Sequence, residues 1–144
     1  MLIHDITTDT EDPPRFVALL AIRLKCANGA AYGGARVAAA QRAKYPDIEP
    51  LRSDQTASAV FEAALKAANL MQWKIADAQA TEGRIEATAT TRFLRFKDDV
   101  VIRVQGDGAR SRVDVRSASR IGRSDFGANA ARIRRYLAIL KSCL

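Results

Sequence analysis

Two runs decide the fold: Val100-Val101-Ile102-Arg103-Val104 and, just beyond it, Ser111-Arg112-Val113-Asp114-Val115-Arg116-Ser117, separated by Gly106-Asp107-Gly108. In the first, the side carrying Val100, Ile102 and Val104 is the most apolar. In the second, Val113 and Val115 face inward while Arg112, Asp114 and Arg116 face outward, the period of two that a pleated strand imposes. Gly106-Asp107-Gly108 is a hairpin signal, because glycine tolerates the turn conformations closed to other residues.

Upstream the pattern repeats. Trp73-Lys74-Ile75-Ala76-Asp77 begins an alternation, Glu82-Gly83 turns the chain, and Arg84-Ile85-Glu86-Ala87-Thr88-Ala89-Thr90-Thr91 sets Ile85, Ala87 and Ala89 against Arg84, Glu86, Thr88 and Thr90. Four consecutive strands with short connections predict an antiparallel meander. On its N-terminal side, Asp54 or Thr56 can cap a helix running to Leu70, with Val60, Phe61, Ala64, Leu65 and Ala68 at helical spacing. On its C-terminal side, Ser124 or Asp125 can start a last helix with the stripe Phe126, Ala130, Ile133, Leu137 and Leu140.

The expected fold class is α+β: a four-stranded antiparallel meander sheet covered on one face by two main helices, since each element must bury one apolar side. Residues 54–144 form this α-β-β-β-β-α core. Gly33-Gly34 breaks the chain before a short extra helix over Ala35 to Ala43, and residues 1–34 form an irregular arm packed along the domain. A length of 144 residues fits one domain.

Composition narrows function by exclusion. Hydrophobic residues at 48% and charged residues at 27% are ordinary for a globular chain, which sets aside disorder and low complexity. The longest apolar run, Phe16 to Ile22, is far short of a bilayer span. Cys26 and Cys143 have no metal or redox spacing, and the lone His4 speaks against histidine-based metal or acid-base chemistry. No metal and no cofactor is therefore expected. The net charge of +7 is unevenly placed: residues 1–83 carry −1 and residues 84–144 carry +8. Such a basic half favours anionic partners or serves as a solvated face.

Chemistry concentrates at the last strand–helix junction. There Arg116, Arg120, Arg123 and Ser124 stand before a helix N-terminus, whose free N–H groups and dipole attract anions while arginine adds bidentate recognition. The competing reading is a structural clasp in which Asp98, Asp99 and Asp125 neutralise the arginines, with Arg103 and Asn129 as further members; the clasp is slightly favoured. Asp98 and Asp99 also invite an acid-base pair, although consecutive residues of a strand point to opposite faces. Ser117, Ser119 and Ser124 lack the elbow and base that a nucleophile needs.

The run Phe96-Lys97-Asp98-Asp99-Val100-Val101-Ile102-Arg103, with Arg116-Ser117-Ala118-Ser119-Arg120-Ile121-Gly122-Arg123-Ser124-Asp125-Phe126-Gly127-Ala128-Asn129, resembles an uncharacterised protein family of bacteria and photosynthetic organisms. Its marks are an Asp-Asp strand start and Arg-Ser-x-Ser-Arg-x-Gly-x-Ser-Asp-x-Gly-x-Asn. The opening His4-Asp5-Ile6-Thr7-Thr8-Asp9 and Asp12-Pro13-Pro14 resemble the start of the same domain. The resemblance implies no activity. Because some members carry transmembrane helices ahead of the domain, it implies the cell envelope if the chain is part of a longer one; the alternative is the cytoplasm.

The leading expectation is a non-enzymatic binding or interaction module recognising an anionic small molecule, lipid headgroup or protein partner at the last strand–helix junction. One alternative is a hydrolytic enzyme using Asp98/Asp99 with Arg116/Arg120. The other is nucleic-acid binding, which the charge suits but for which exposed aromatic residues are not evident in a chain with 6% aromatics. Oligomeric state is not legible in the sequence.

Overall fold

A computed structural model describes residues 1–144. The strands are β1 (Asp5–Thr7), β2 (Leu51–Ser53), β3 (Lys74–Gln79), β4 (Arg84–Thr90), β5 (Lys97–Asp107) and β6 (Arg110–Ser119). The helices are α1 (Leu20–Leu24), α2 (Ala35–Lys44), α3 (Ala57–Leu70) and α4 (Ala128–Cys143). The fold is α+β with an open antiparallel sheet, but the sheet has six strands rather than four. Its order is β1-β6-β5-β4-β3, and β2 joins β6 beyond the end of β1. The long β6 is the reason: β5 covers one of its edges, and the other is shared by β1 opposite Arg116 to Ala118 and β2 opposite Ser111 to Val113.

Strand register places Ala89, Ala87 and Ile85 of β4 beside Asp98, Val100 and Ile102 of β5, and Val100, Ile102 and Val104 beside Ser117, Val115 and Val113 of β6. That face carries the main core, closed by Val60, Phe61, Ala64, Ala67 and Ala68 of α3 and by Ala130, Ile133, Tyr136 and Leu140 of α4. Each of the larger side chains, Val, Ile, Leu or Phe, contributes about 1.5–3 kcal/mol by leaving water, and the alanines less. Trp73 stacks on Tyr136 at 5.1 Å between ring centroids, and the Tyr136 hydroxyl donates to the Ala64 carbonyl at 2.8 Å, tying α4 to α3.

Thr56 is the cap of α3, its hydroxyl accepting from the Ala59 N–H at 3.2 Å. The last helix begins later than the sequence indicates, at Ala128 rather than near Ser124 or Asp125. Phe126 (φ +53°) and Gly127 (φ +83°) are left-handed, so the chain cannot be helical before them. Phe126 accordingly leaves the apolar stripe, and Tyr136 takes a place in the core.

The remaining helices lie outside the α3–α4 layer. α2 runs beside the edge strand β1, where the Gln41 side chain accepts from the Thr7 N–H at 3.0 Å and donates to the Thr7 carbonyl at 2.7 Å. It stands in for a neighbouring strand and closes an edge that would otherwise be open to pairing. α1 and the rest of the arm cross the second face of the sheet. The charges read as outward, Glu86, Asp114 and Arg116, do leave the main core, yet all three are buried beneath this arm.

Candidate functional site

The second face of the sheet is a layer of buried ions. Arg116, only 2% exposed, grips Asp5 with two hydrogen bonds of 3.0 and 2.8 Å and donates to the Pro14 and Ala30 carbonyls of the arm. Asp99 accepts from Arg23 at 3.0 Å, from Arg120 at 2.8 and 2.9 Å, and from the Thr88 hydroxyl at 2.8 Å. Burial would raise the Asp99 carboxyl, but the Arg120 and Thr88 hydrogen bonds and the charge of Arg120 outweigh it and hold the group below its ordinary value. Phe16 lies under two guanidinium groups at once, those of Arg23 and Arg116, each 4.8 Å from the ring centroid. Glu86 accepts from the Val17, Ala18 and Leu19 N–H groups at 2.9, 2.7 and 3.1 Å and pairs with Arg84. The arm is thus fastened by charge to a face that periodicity marks only as polar.

Asp98 and Asp99 separate as strand geometry requires. Asp98 points to the helical face and pairs with Arg132 of α4 at 2.8 Å, while Asp99 points to the arm. Arg103 meets Asp9 at 3.1 Å and Asp114 at 3.5 Å, with Arg112 on the same two carboxylates. Burial would raise the Asp9 carboxyl, but the Asp12 and Glu11 N–H groups and the two arginine charges hold it low. The carboxylates and arginines therefore form several separate pairings, and they do not converge on a reacting atom.

Around Asn129 the junction is tied to α4, to β6 and, through the Asn129 amide donating to the His4 carbonyl at 3.2 Å, to the residue before β1. The Asn129 amide donates to the Ser119 hydroxyl at 2.9 Å and to Asp125 at 2.8 Å, while its oxygen accepts from the Ser117 hydroxyl at 2.7 Å and from Arg132 at 2.8 Å. Asp125 does not meet an arginine. Its carboxylate accepts from the Gly127 and Asn129 N–H groups at 2.8 and 3.3 Å, filling the place at the start of α4 that an anion would take. Of the four residues expected to receive an anion, Arg116 is committed to Asp5 and Arg120 to Asp99. The Ser124 hydroxyl accepts from the Phe126 N–H at 3.2 Å, and Arg123 is exposed with no carboxylate partner.

What stays open beside this junction is a groove of about 670 Å³. One wall is the β4–β5 loop, pinched at its base by the Thr91 N–H donating to the Phe96 carbonyl and the Phe96 N–H donating to the Thr91 hydroxyl, both at 2.8 Å. Arg92, Phe93, Leu94 and Arg95 project beyond the pinch. The other wall is the β6–α4 junction with Ile121, Arg123 and Phe126, and Leu2 lies along it. Phe93 is 91% exposed and Phe126 is 96% exposed, with Leu2, Leu94, Phe96 and Ile121 also presented to solvent. The residues expected from sequence to bind an anion all lie on the junction side, and none lies on the facing wall. The run Arg92-Phe93-Leu94-Arg95-Phe96-Lys97, in which cations alternate with apolar residues where strand alternation lapses, is the signal that could have found it. Exposed aromatic residues, absent from the expectation, are therefore present at this end of the molecule.

The chain belongs to the family described as "Protein of unknown function (DUF1499)", which it matches over residues 5–140. No curated protein matches it significantly. Among solved structures, it is similar to BexL, the di-domain ARO/CYC of the BE-7585A biosynthetic pathway, at 16% identity and a TM-score of 0.49, over 65% of this chain and 44% of that one. It is also similar to CalU16 from Micromonospora echinospora at 14% identity and a TM-score of 0.41, over 65% of this chain and 73% of that one. The match thus spans less than half the length of BexL. No helix is long and apolar enough to cross a membrane.

Proposed function

We propose that this member of the family is a non-enzymatic binding module of the cell envelope that takes an anionic amphiphile at its last strand–helix junction. The observation that carries this reading is the groove between the Phe93 and Phe126 walls. It combines apolar side chains left in water with arginines that have no carboxylate partner. An exposed apolar patch of this kind loses free energy to solvation until something covers it. Arg92 and Arg123 at the rim can neutralise a phosphate or carboxylate head while the rings cover a chain. The anion is thereby read by Arg123 and Arg92, rather than by Arg116, which holds the arm, or Arg120, which is paired with Asp99.

The distribution of acids supports binding over hydrolysis. Asp98 and Asp99 lie on opposite faces of β5, each inside an ion pair, so these two carboxylates do not act together on a ligand in the groove.

Titration with dodecyl phosphate below its micelle concentration, followed by amide chemical shifts, tests the proposal. Shifts are expected at residues 91–96 and 119–128, with little response to inorganic phosphate or to an uncharged dodecyl glycoside. Phe93→Ala is expected to weaken binding by about tenfold, the loss of one ring's burial. Equal affinity for the uncharged chain, or shifts confined to other surfaces, would overturn the proposal.

A further inference from the structure

We infer that this end of the molecule docks on an anionic membrane surface, with the tips of the β4–β5 loop and the β6–α4 junction wedged among the lipid chains. The inference deepens the ligand reading above by committing the amphiphile to a bilayer, and it uses the same groove.

Three observations converge on it. First, the two most exposed large apolar side chains of the protein, Phe93 and Phe126, both rise from this one end, on opposite walls of a single groove. Both are held there by local structure: the Thr91–Phe96 pinch raises the first tip, and a left-handed Phe126 held by the Ser124 hydroxyl forms the second. Second, the cations around the tips have no counter-charge of their own. Arg92, Arg95 and Arg123 make no ion pair, and the Lys97 amine reaches only the Thr90 hydroxyl at 3.3 Å. Third, of the two acids that line the groove, Asp98 is neutralised by Arg132, and Asp125, which has no cationic partner, turns its carboxylate to the Gly127 and Asn129 N–H groups and the Asn129 amide.

Apolar tips ringed by unpaired cations match the layering of an anionic bilayer, where phosphates lie above hydrocarbon. The fit is better than to a nucleic-acid strand. Stacking would need ring faces set along a basic track, whereas here Leu94, Ile121 and Leu2 interleave with the rings.

Sedimentation with vesicles of phosphatidylcholine, with and without phosphatidylglycerol, tests docking. A Phe93→Trp reporter tests depth, with Trp73, buried and stacked on Tyr136, as the internal reference. The protein is expected to pellet only with the anionic vesicles, less so as salt is raised. The new indole should shift to the blue and be quenched by lipids brominated in the acyl chain, while the parent protein's Trp73 emission does not change. Phe93→Ser with Phe126→Ser should lower vesicle affinity by tenfold or more with unchanged thermal unfolding. Pelleting with neutral vesicles alone, an unquenched reporter, or tighter binding to a single-stranded oligonucleotide than to vesicles would each overturn the inference. If dodecyl phosphate binds in solution but anionic vesicles do not, membrane docking falls and the groove reading stands; if neither binds, both fall.

Discussion

At the scale of single residues, the second face of the sheet depends on carboxylates that are expensive to bury and more expensive to orphan. Asp99 serves two arginines and a threonine from a fully buried position. Asp99→Asn leaves Arg23 buried without its counter-charge, and a loss of about 3–5 kcal/mol is expected in denaturant unfolding. The pH dependence follows from the direction of the shift. The folded carboxyl sits below its unfolded value, so its contribution is complete above about pH 4 and is lost as pH falls through the folded value. The variant should accordingly show a shallower decline of stability in acid than the parent. None of this is legible from periodicity, which assigns Glu86, Asp114 and Arg116 to a side of the sheet and is silent on what covers that side. The covering arm, residues 8–34, has no repeating pattern of its own, and Arg23 looks in sequence like the polar end of a short apolar run.

At the scale of elements, long strands announce themselves and short ones do not. β5 and β6 span eleven and ten residues with a clear alternation and a two-residue connection at Gly108 and Ala109, so their pairing follows from the sequence. β1 and β2 have three residues each, too few for alternation to register, and they exist because β6 has an edge to satisfy. The start of α4 misleads for a related reason. Asp125 does offer its carboxylate to the first N–H groups, but two left-handed residues intervene before the helix. The turn into β4 is more constrained than its Glu82-Gly83 signal indicates. Gly83 has φ +64°, its carbonyl accepts from the Val104 N–H at 2.7 Å, and a Cβ there would collide with the Val104 carbonyl oxygen. Gly83→Ala should therefore cost about 1–3 kcal/mol or more in thermal or chemical unfolding, whereas the same change at Gly108, where a Cβ meets nothing, costs only its backbone strain.

At the scale of the whole molecule, one sheet separates two chemically different interiors. The helical side holds a core of aliphatic and aromatic residues; the arm side holds Asp5, Arg23, Glu86, Asp99, Asp114 and Arg116, with a small apolar cluster of Phe16, Leu19, Val101 and Ala118 among them. The junction that the sequence singles out lies where these interiors meet, which explains why its arginines are drawn into the fold and why the open groove is formed instead by the neighbouring loop tips. The two sides should also respond to different insults. Protonating carboxylates held low, such as Asp9 and Asp99, loosens the arm without touching the packing of Trp73 on Tyr136. On acidification, hydrogen exchange should therefore quicken at residues 8–34 before it does in β4, β5 and α4, while the near-ultraviolet signal of the stacked pair persists; simultaneous loss would mean that the two sides unfold as one unit. Sealed by ion pairs on one side and by oil on the other, the sheet works as a partition with two kinds of lock, and acidity is a key to only one of them.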